Sequence, residues 1–257
     1  MLHDHPLAPM AAPLAVRLAR LNAAIRSVPE SDIAQAALAA ALDPTIAGKV
    51  ALVSSFGADS IVLLHMVSRI NPDLPILFID TELLFAETLD YQKQVAALLG
   101  LTDIRIIRAP RKELFTHDPE GLLRHFDPDA CCALRKVAPL AQALAGFDGW
   151  ITGRKRYQAG TRADMPVFEA DEEGRVKINP LAHWTPGQAA AYIDAQSLPR
   201  HPLVDRGYRS IGCAPCTTPV REGEDERAGR WRGRGKVECG LHRPARADNS
   251  DDRGQAA

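Results

Sequence analysis

Four short apolar runs, separated by longer segments of helical character, constrain the fold of this chain more than any other feature. Residues 49–54 (Lys-Val-Ala-Leu-Val-Ser), 75–80 (Pro-Ile-Leu-Phe-Ile-Asp), 103–107 and 149–152 have the length and near-continuous apolarity of buried strands. Residues 60–70, about 85–99 and 131–144 between them read as helices. Strands alternating with helices predict an α/β fold, a parallel sheet covered on both faces. In such sheets ligands bind beyond the carboxyl ends of the strands, so the segments after the first and fourth runs are where chemistry is expected. Two Ala-rich helices, 16–26 and 33–42, come first, with Ser31-Asp32 as the expected cap of the second. Residues 167–170 and 175–179, joined by Asp-Glu-Glu-Gly, predict a hairpin, and 186–195 another helix.

After residue 217 the apolar periodicity disappears and Arg, Glu and Gly dominate, which predicts an irregular, mobile arm. The expected organisation is N-terminal helices (1–44), an α/β domain (45–216), the arm (217–243) and a disordered tail (244–257). A net charge of −1 gives no global attraction to nucleic acid or to an anionic membrane. No apolar run approaches the roughly 18 residues of a membrane span. The first 16 residues lack a basic start and are broken by Pro6, Pro9 and Pro13, which argues against a secretory signal and for the cytoplasm. Five cysteines in such a chain are expected to be ligands or catalysts rather than a disulfide framework.

Those cysteines fall into an adjacent pair, Cys131-Cys132, a Cys213-Ala-Pro-Cys216 and a lone Cys239 within Glu-Cys-Gly-Leu-His. Four thiolates can hold zinc or an iron–sulfur cluster; two adjacent cysteines suit zinc's usual spaced knuckles poorly and favour the cluster. Cys239 sits in polar sequence near Arg227, Arg230, Lys236 and His242, cations that favour a thiolate, while Glu238 opposes it. Arg135 and Lys136, three and four residues after Cys132, fall on its helical face. The loop Ser54-Ser55-Phe56-Gly57-Ala58-Asp59-Ser60 offers small hydroxyl residues, a glycine and a helix start to an anion, but no Gly-Lys-Ser/Thr of a Walker loop. After the fourth strand, Thr152-Gly153-Arg154-Lys155-Arg156, with Arg162 beyond, places several cations where a sulfate or phosphate would be clamped.

Taken together and in this order, the Ser-rich loop, Cys-Cys-x-x-Arg-Lys, Thr-Gly-x-x-Arg, Cys-x-x-Cys and Glu-Cys-Gly-Leu-His resemble the sulfonucleotide reductases, and within them the assimilatory adenylyl-sulfate (APS) reductases. The similarity covers roughly residues 45–243. It implies an adenine nucleotide α-hydrolase-like (PP-loop type) domain and the reduction of APS to sulfite and AMP by thioredoxin or glutaredoxin, in sulfate assimilation and cysteine biosynthesis. Carried over, Cys239 attacks the sulfate sulfur and becomes an S-sulfocysteine. Cys131, Cys132, Cys213 and Cys216 hold one [4Fe-4S] cluster, in a structural and electrostatic role. Ser54, Ser55, Gly57, Ser60, Lys136, Gly153, Arg156, Arg162, Arg227, Arg230 and His242 contact substrate. Homo-oligomers are common in that family. The loop departs from the more usual Ser-Phe-Ser-Gly-Ala-Glu-Asp, and Lys155 stands where the family often has Arg.

Three other readings compete. A reductase of the 3′-phosphorylated substrate (PAPS) keeps the Cys239 motif but generally lacks the paired cysteines, and some cluster-bearing relatives accept both substrates. A metal-stabilised nucleotide-binding or adenylating protein would make Cys239 incidental. A zinc-ribbon nucleic-acid module is disfavoured by the neutral charge.

Overall fold

A computed structural model describes residues 12–242. Two helices, α1 (Leu14–Ile25) and α2 (Ile33–Ala41), precede strand β1 (Val50–Ser54). Then come α3 (Ser60–Ser68), β2 (Ile76–Ile79), α4 (Ala86–Leu98), β3 (Ile104–Ile107), α5 (Arg111–His117), α6 (Leu123–Phe126), α7 (Pro128–Cys132), α8 (Ala138–Ala143), β4 (Gly149–Thr152), β5 (Phe168–Ala170), β6 (Val176–Ile178) and α9 (Pro186–Ala195). The six strands form one sheet in the order β3-β2-β1-β4-β6-β5. β1 pairs in parallel with β2 and β4, β2 with β3, and β4 with β6. The expected hairpin forms, and it puts β5 antiparallel on the edge, so the sheet is mostly parallel rather than wholly so.

Alternate residues of the central strands serve two unequal cores, as the two-residue period of a strand requires. Leu52, Ile76, Phe78 and Ile151 face the larger core with α1, α2, α3, α4 and α9. There α3 buries Ile61, Val62, Leu63, Leu64, Met66 and Val67, each contributing about 1.5–3 kcal/mol on removal from water. Ala51, Leu77, Ile79 and Trp150 face a smaller core completed by Leu140, Leu144 and Phe147. Leu241, from the far end of the chain, packs onto this second core.

Two local expectations are corrected. Asp32 does stand at the start of α2, after a short 3-10 turn, but its side chain caps nothing and instead accepts from Ser31 Oγ at 3.1 Å. The single helix over 131–144 is three pieces: α7, a π-helical turn over Ala133–Val137, and α8. It starts earlier because Asp127 accepts from the Asp129 and Ala130 amides and Pro128 stands at the first helical position. Pro139 explains the π turn: it has no N–H to donate, and its ring would collide with the carbonyl four residues back. α5 and α6 carry no strong periodicity and were not expected. The tail at 244–257 lies outside the described residues.

Candidate active site

A cleft of about 230 Å³ opens where the carboxyl ends of β1 and β4 meet, between Ser54 and Thr152. Its walls are the 54–60 loop, the segment after β4, the residues before Cys213 and the arm. Ser54, Ser55, Gly57, Ser60, Lys136, Gly153, Arg162, Arg227, Arg230, Cys239 and His242 all line it, although they come from segments up to 188 positions apart (Ser54 to His242).

Arg156 does not. A 3-10 turn over Arg156–Gln158 aims its guanidinium backwards, to the Met165 carbonyl at 2.9 Å and the His183 ring at 3.4 Å. Its two predecessors, Arg154 and Lys155, take its place on the cleft wall. Both are buried and both are already paired, Arg154 with Glu169 and Lys155 with Asp59.

In the 54–60 loop two backbone amides are already engaged by the loop's own hydroxyls. The Ser54 hydroxyl accepts from the Phe56 amide at 3.2 Å, and the Ser60 hydroxyl accepts from the Gly57 amide at 2.9 Å. Asp59 precedes α3 and accepts from Lys155 at 3.2 Å and from Tyr157 at 3.3 Å. Glu226 also lines this side, its acidity weakened by burial and then by Asp59. This wall therefore presents hydroxyls and carboxylates, a surface for a neutral polar group such as a ribose rather than for a phosphate.

Cations gather on the opposite wall, around Cys239. Arg230 lies with its guanidinium carbon 4.5 Å from the centre of the Trp231 ring. Gly212 makes room for it: a β-carbon there would collide with the Arg230 guanidinium. Lys136 is drawn down by burial, but the sulfurs of Cys213, Cys239 and Cys132 outweigh this and hold it protonated. His242 behaves differently from its neighbours. Its ring stacks on Trp150, 5.6 Å between centres and 10° apart in plane. Burial, and then the charges of Arg154, Lys177, Arg162 and Arg227, push it well below its ordinary value, so it is neutral. It offers a buried Nδ1 with no hydrogen-bond partner among the described residues, not a positive charge.

Next to the cleft, a small second cavity is lined by Cys131, Cys132, Cys213 and Cys216 together with Arg124, Arg135 and Lys136. α7 delivers the first two thiols. A 3-10 turn over Ala214–Cys216 delivers the others, fastened by the Ala214 amide to the Leu83 carbonyl at 2.8 Å. Thr81 Oγ1 lies 3.2 Å from Cys213 Sγ. The Cys131 thiol is pushed up to about 11 by burial and then by Cys132. Arg135 is fixed beside them by Asp118 at 2.8 Å and the Thr81 carbonyl at 3.1 Å. Lys136 and Cys213 line both cavities.

A profile described as "Phosphoadenosine phosphosulfate reductase domain" matches residues 49–219. The chain belongs to this family. It is 54% identical over 194 residues to an adenosine 5′-phosphosulfate reductase of Mesorhizobium japonicum, covering 76% of each chain. It is 41% identical over 215 residues to a phosphoadenosine 5′-phosphosulfate reductase of Gloeobacter violaceus, covering 82% of this chain and 89% of that one. Among solved structures it resembles phosphoadenylyl-sulfate reductase from Candida auris in a phosphate complex. There the TM-score is 0.63 and the identity 28%, over 79% of this chain and 96% of that one. An FMN adenylyltransferase of Candida glabrata, 15% identical with a TM-score of 0.51, shares the fold alone.

Several cleft residues were given no role of their own by the sequence, although Asp59 lies within the Ser-rich loop. Gln158, Glu226 and Trp231 reach the cleft through tertiary contacts, and Asp59 gains its role from its pairing with Lys155 and Tyr157. In the sequence Glu238 opposes the thiolate; in the structure it is an ion-pair partner of Arg162 and Arg227.

Proposed function

We propose that this family member reduces adenosine 5′-phosphosulfate to sulfite and AMP, with Cys239 as nucleophile and a thioredoxin-type dithiol as reductant. The observation that carries the reading is the position of Cys239: the lone cysteine of the arm lines the same cleft as the β1 loop and the cations of the opposite wall. The Cys239 thiolate attacks the sulfate sulfur, the bond from that sulfur to the phosphate oxygen breaks, and AMP leaves as a stable anion. An S-sulfocysteine remains. A thiolate of the dithiol then attacks Cys239 Sγ and expels sulfite, and the second thiol resolves the mixed disulfide, which returns Cys239 as a thiol. The sulfur of the sulfate is reduced by two electrons and the dithiol is oxidised by two.

Attack brings two anions together, so the cleft must screen them. Lys136, Arg162, Arg227 and Arg230 supply that field within a site partly closed to water. Ser54, Ser55, Gly57, Ser60 and Gly153 are left to hold the nucleoside. His242, being neutral, takes part by hydrogen bonding. The arm opens between the two half-reactions to bring Cys239 to its reductant. APS is preferred to PAPS because both cysteine pairs are present, and the adenosine 5′-phosphosulfate reductases it resembles at 54% and 52% identity support that preference. Free thiols at all five cysteines suit a reducing cytoplasm, and among the described residues no helix is long and apolar enough to cross a membrane.

The second cavity fits a [4Fe-4S] cluster. Its four thiols line one space, and an adjacent pair with a Cys-x-x-Cys supports a cluster rather than zinc's spaced knuckles. Cys131, Cys132, Cys213 and Cys216 would hold it. When bound, it would tie α7 to the turn that leads into the arm and set the charge beside Lys136. Iron and sulfide analysis of anaerobically purified protein checks this: about four of each per chain are expected from the cluster type, and zinc alone would overturn it.

Intact-protein mass spectrometry after mixing with APS, no dithiol added, tests the reaction. One sulfonate adduct mapped to Cys239 is expected, absent in Cys239→Ser. Equal adducts from APS and PAPS would make the enzyme dual-specific. No adduct from iron-loaded protein would sink the reading.

A further inference from the structure

Three residues before Cys239, Lys236 does not line the cleft and turns instead toward the cysteine pocket. Its side chain is 8% exposed and pairs with Asp129 of α7. The ammonium lies 5.6 Å from the centre of the Trp231 ring, within reach of a cation–π contact. Burial raises the Cys132 thiol, and Lys136 and then Lys236 oppose the rise, so the ammonium also stands near that sulfur. Trp231 is itself fixed to the pocket, its amide donating to the Cys216 carbonyl at 3.0 Å. Two residues before Lys236, Arg234 Nη1 donates to the carbonyl of Arg124, a residue that lines the pocket, at 2.7 Å. The stretch leading to the nucleophile therefore rests on residues 124–132, the segment that carries Cys131 and Cys132.

We propose that Lys236 is a positioning residue that docks the arm on the cluster pocket: held between Asp129, Trp231 and Cys132, its positive charge meets the thiolates of the loaded pocket and keeps Cys239 at the cleft. This rests on the second cavity holding the [4Fe-4S] cluster and on Cys239 being the nucleophile. The charged partners of the ammonium differ in weight. The Asp129 side chain is 83% exposed, where water screens an ion pair and leaves it worth little. Cys132 is buried, where a charge is screened least. Metal-bound thiols are deprotonated, and four thiolates leave an iron–sulfur cluster with a net negative charge. An ammonium beside that charge is held in place, and with it the backbone three residues from Cys239. Closure of the arm thus depends on the loaded pocket with no electron passing through it, and an arm that opens carries a positive charge away.

The test is amide hydrogen exchange across residues 228–241 of full-length, iron-loaded protein without substrate, read by mass spectrometry, with β1 and β4 as the control for the body. Exchange in the arm is expected to quicken at least fivefold in Lys236→Gln and in Lys236→Met, and less than twofold in Asp129→Asn. Stripping the iron from the parent with a chelator quickens it as much, and adds nothing in Lys236→Gln. The loaded variants decide the matter even where stripping also loosens the body. In loaded Lys236→Gln, sulfonation of Cys239 at saturating APS slows at least fivefold, while release of sulfite from pre-formed sulfocysteine by a dithiol is as fast as in the parent. Arm exchange that Lys236→Gln leaves unchanged would overturn the proposal, and slowed sulfonation alongside it would make Lys236 a substrate ligand. Asp129→Asn as damaging as Lys236→Gln would make the surface ion pair the anchor, and protection kept in Lys236→Met would assign it to packing; either result defeats the role given to charge. Protein that never carries iron would instead defeat the reading of the second cavity, and loaded parent that forms no sulfocysteine the reading of the reaction.

Discussion

The two walls of the cleft are built by opposite means. The body wall hangs on a six-stranded sheet with a core on each face, and its polar residues follow strands whose positions the cores fix. The arm wall, residues 217–242, contains no helix or strand. It is held by one bridge between Thr217 and Arg230, by the Trp231 and Val220 amides donating to the Cys216 and Gly207 carbonyls, and by side-chain anchors: Leu241 on the smaller core, His242 on Trp150, Glu238 between two arginines, Lys236 on Asp129 and Arg234 on the Arg124 carbonyl. Burial of many side chains makes the first wall stiff. Separate contacts rather than a shared core hold the second, which suits the opening proposed for it. The proposed mechanism, in which Cys239 meets a substrate in a closed site and then a dithiol protein in the open, suits the second kind of wall.

The comparison predicts that body substitutions change stability and arm-facing substitutions change chemistry. Phe78→Ala is the strongest case. Phe78 is 1% exposed and meets Phe56 edge-on at 5.3 Å, and its loss is expected to cost about 3–5 kcal/mol in urea unfolding. A loss below about 1 kcal/mol would break the claim that the body wall is the stiff one. Gly212→Ala comes next. The obstructed atom is the movable end of Arg230, so the fold should tolerate the change while the guanidinium is displaced. kcat/KM for APS is expected to fall about 10–100-fold, or 1.4–2.7 kcal/mol, with iron content intact. In an Arg230→Ala background the substitution should do no further harm. Independent, multiplying losses would show that Gly212 acts otherwise.

His201 gives the body wall a pH signature. It is fully buried, accepts from the Leu203 amide at Nδ1 (3.1 Å), and lies 3.0 Å from Thr88 through Nε2. The backbone donor leaves no room for a second proton, and burial depresses the imidazole to about 4. An unfolded histidine titrates near 6.5, so between about 6.5 and 4 the unfolded chain binds the extra proton and the folded one does not. Stability from this group is complete above that window and is lost as pH falls through it, by at most about 1.4 kcal/mol per pH unit. His201→Gln should flatten the slope of unfolding free energy between pH 6.5 and 4, and an unchanged slope would assign the acid sensitivity elsewhere. Arg232→Ala is the smallest effect. Its pair with Glu224 lies on the exposed side of the arm, and neither melting temperature nor sulfonation rate should change measurably. A large drop in either would mean that the arm is held by its outer surface as well as by its inner one.

Much of the site was legible in the sequence because chemistry there is carried by residue types that periodicity does not explain. Five cysteines in a pair, a Cys-x-x-Cys and a singleton define both cavities in advance. A buried strand followed by small residues marks the β1 loop for the same reason. Arg156 shows the limit. Three consecutive cations are equivalent in sequence, and a single 3-10 turn decides which of them face the cleft. His242 shows it again: a histidine in a cationic setting reads as a cation, until stacking on Trp150 and burial make it neutral.

The sequence by itself determined the alternation of strands and helices, the end of the sheet at which the cleft lies, and the split of the cysteines into four and one. All of these depend on local pattern, on which residue types recur and how far apart. Tertiary structure alone decided which charges cancel. Asp59 takes Lys155, Glu169 takes Arg154, and Glu238 takes Arg162 and Arg227, leaving Lys136 and Arg230 without ion pairs among the described residues. These pairs join residues between 11 and 96 positions apart. Electrostatic energy depends on distance in space and on burial, and neither is written in the order of the residues.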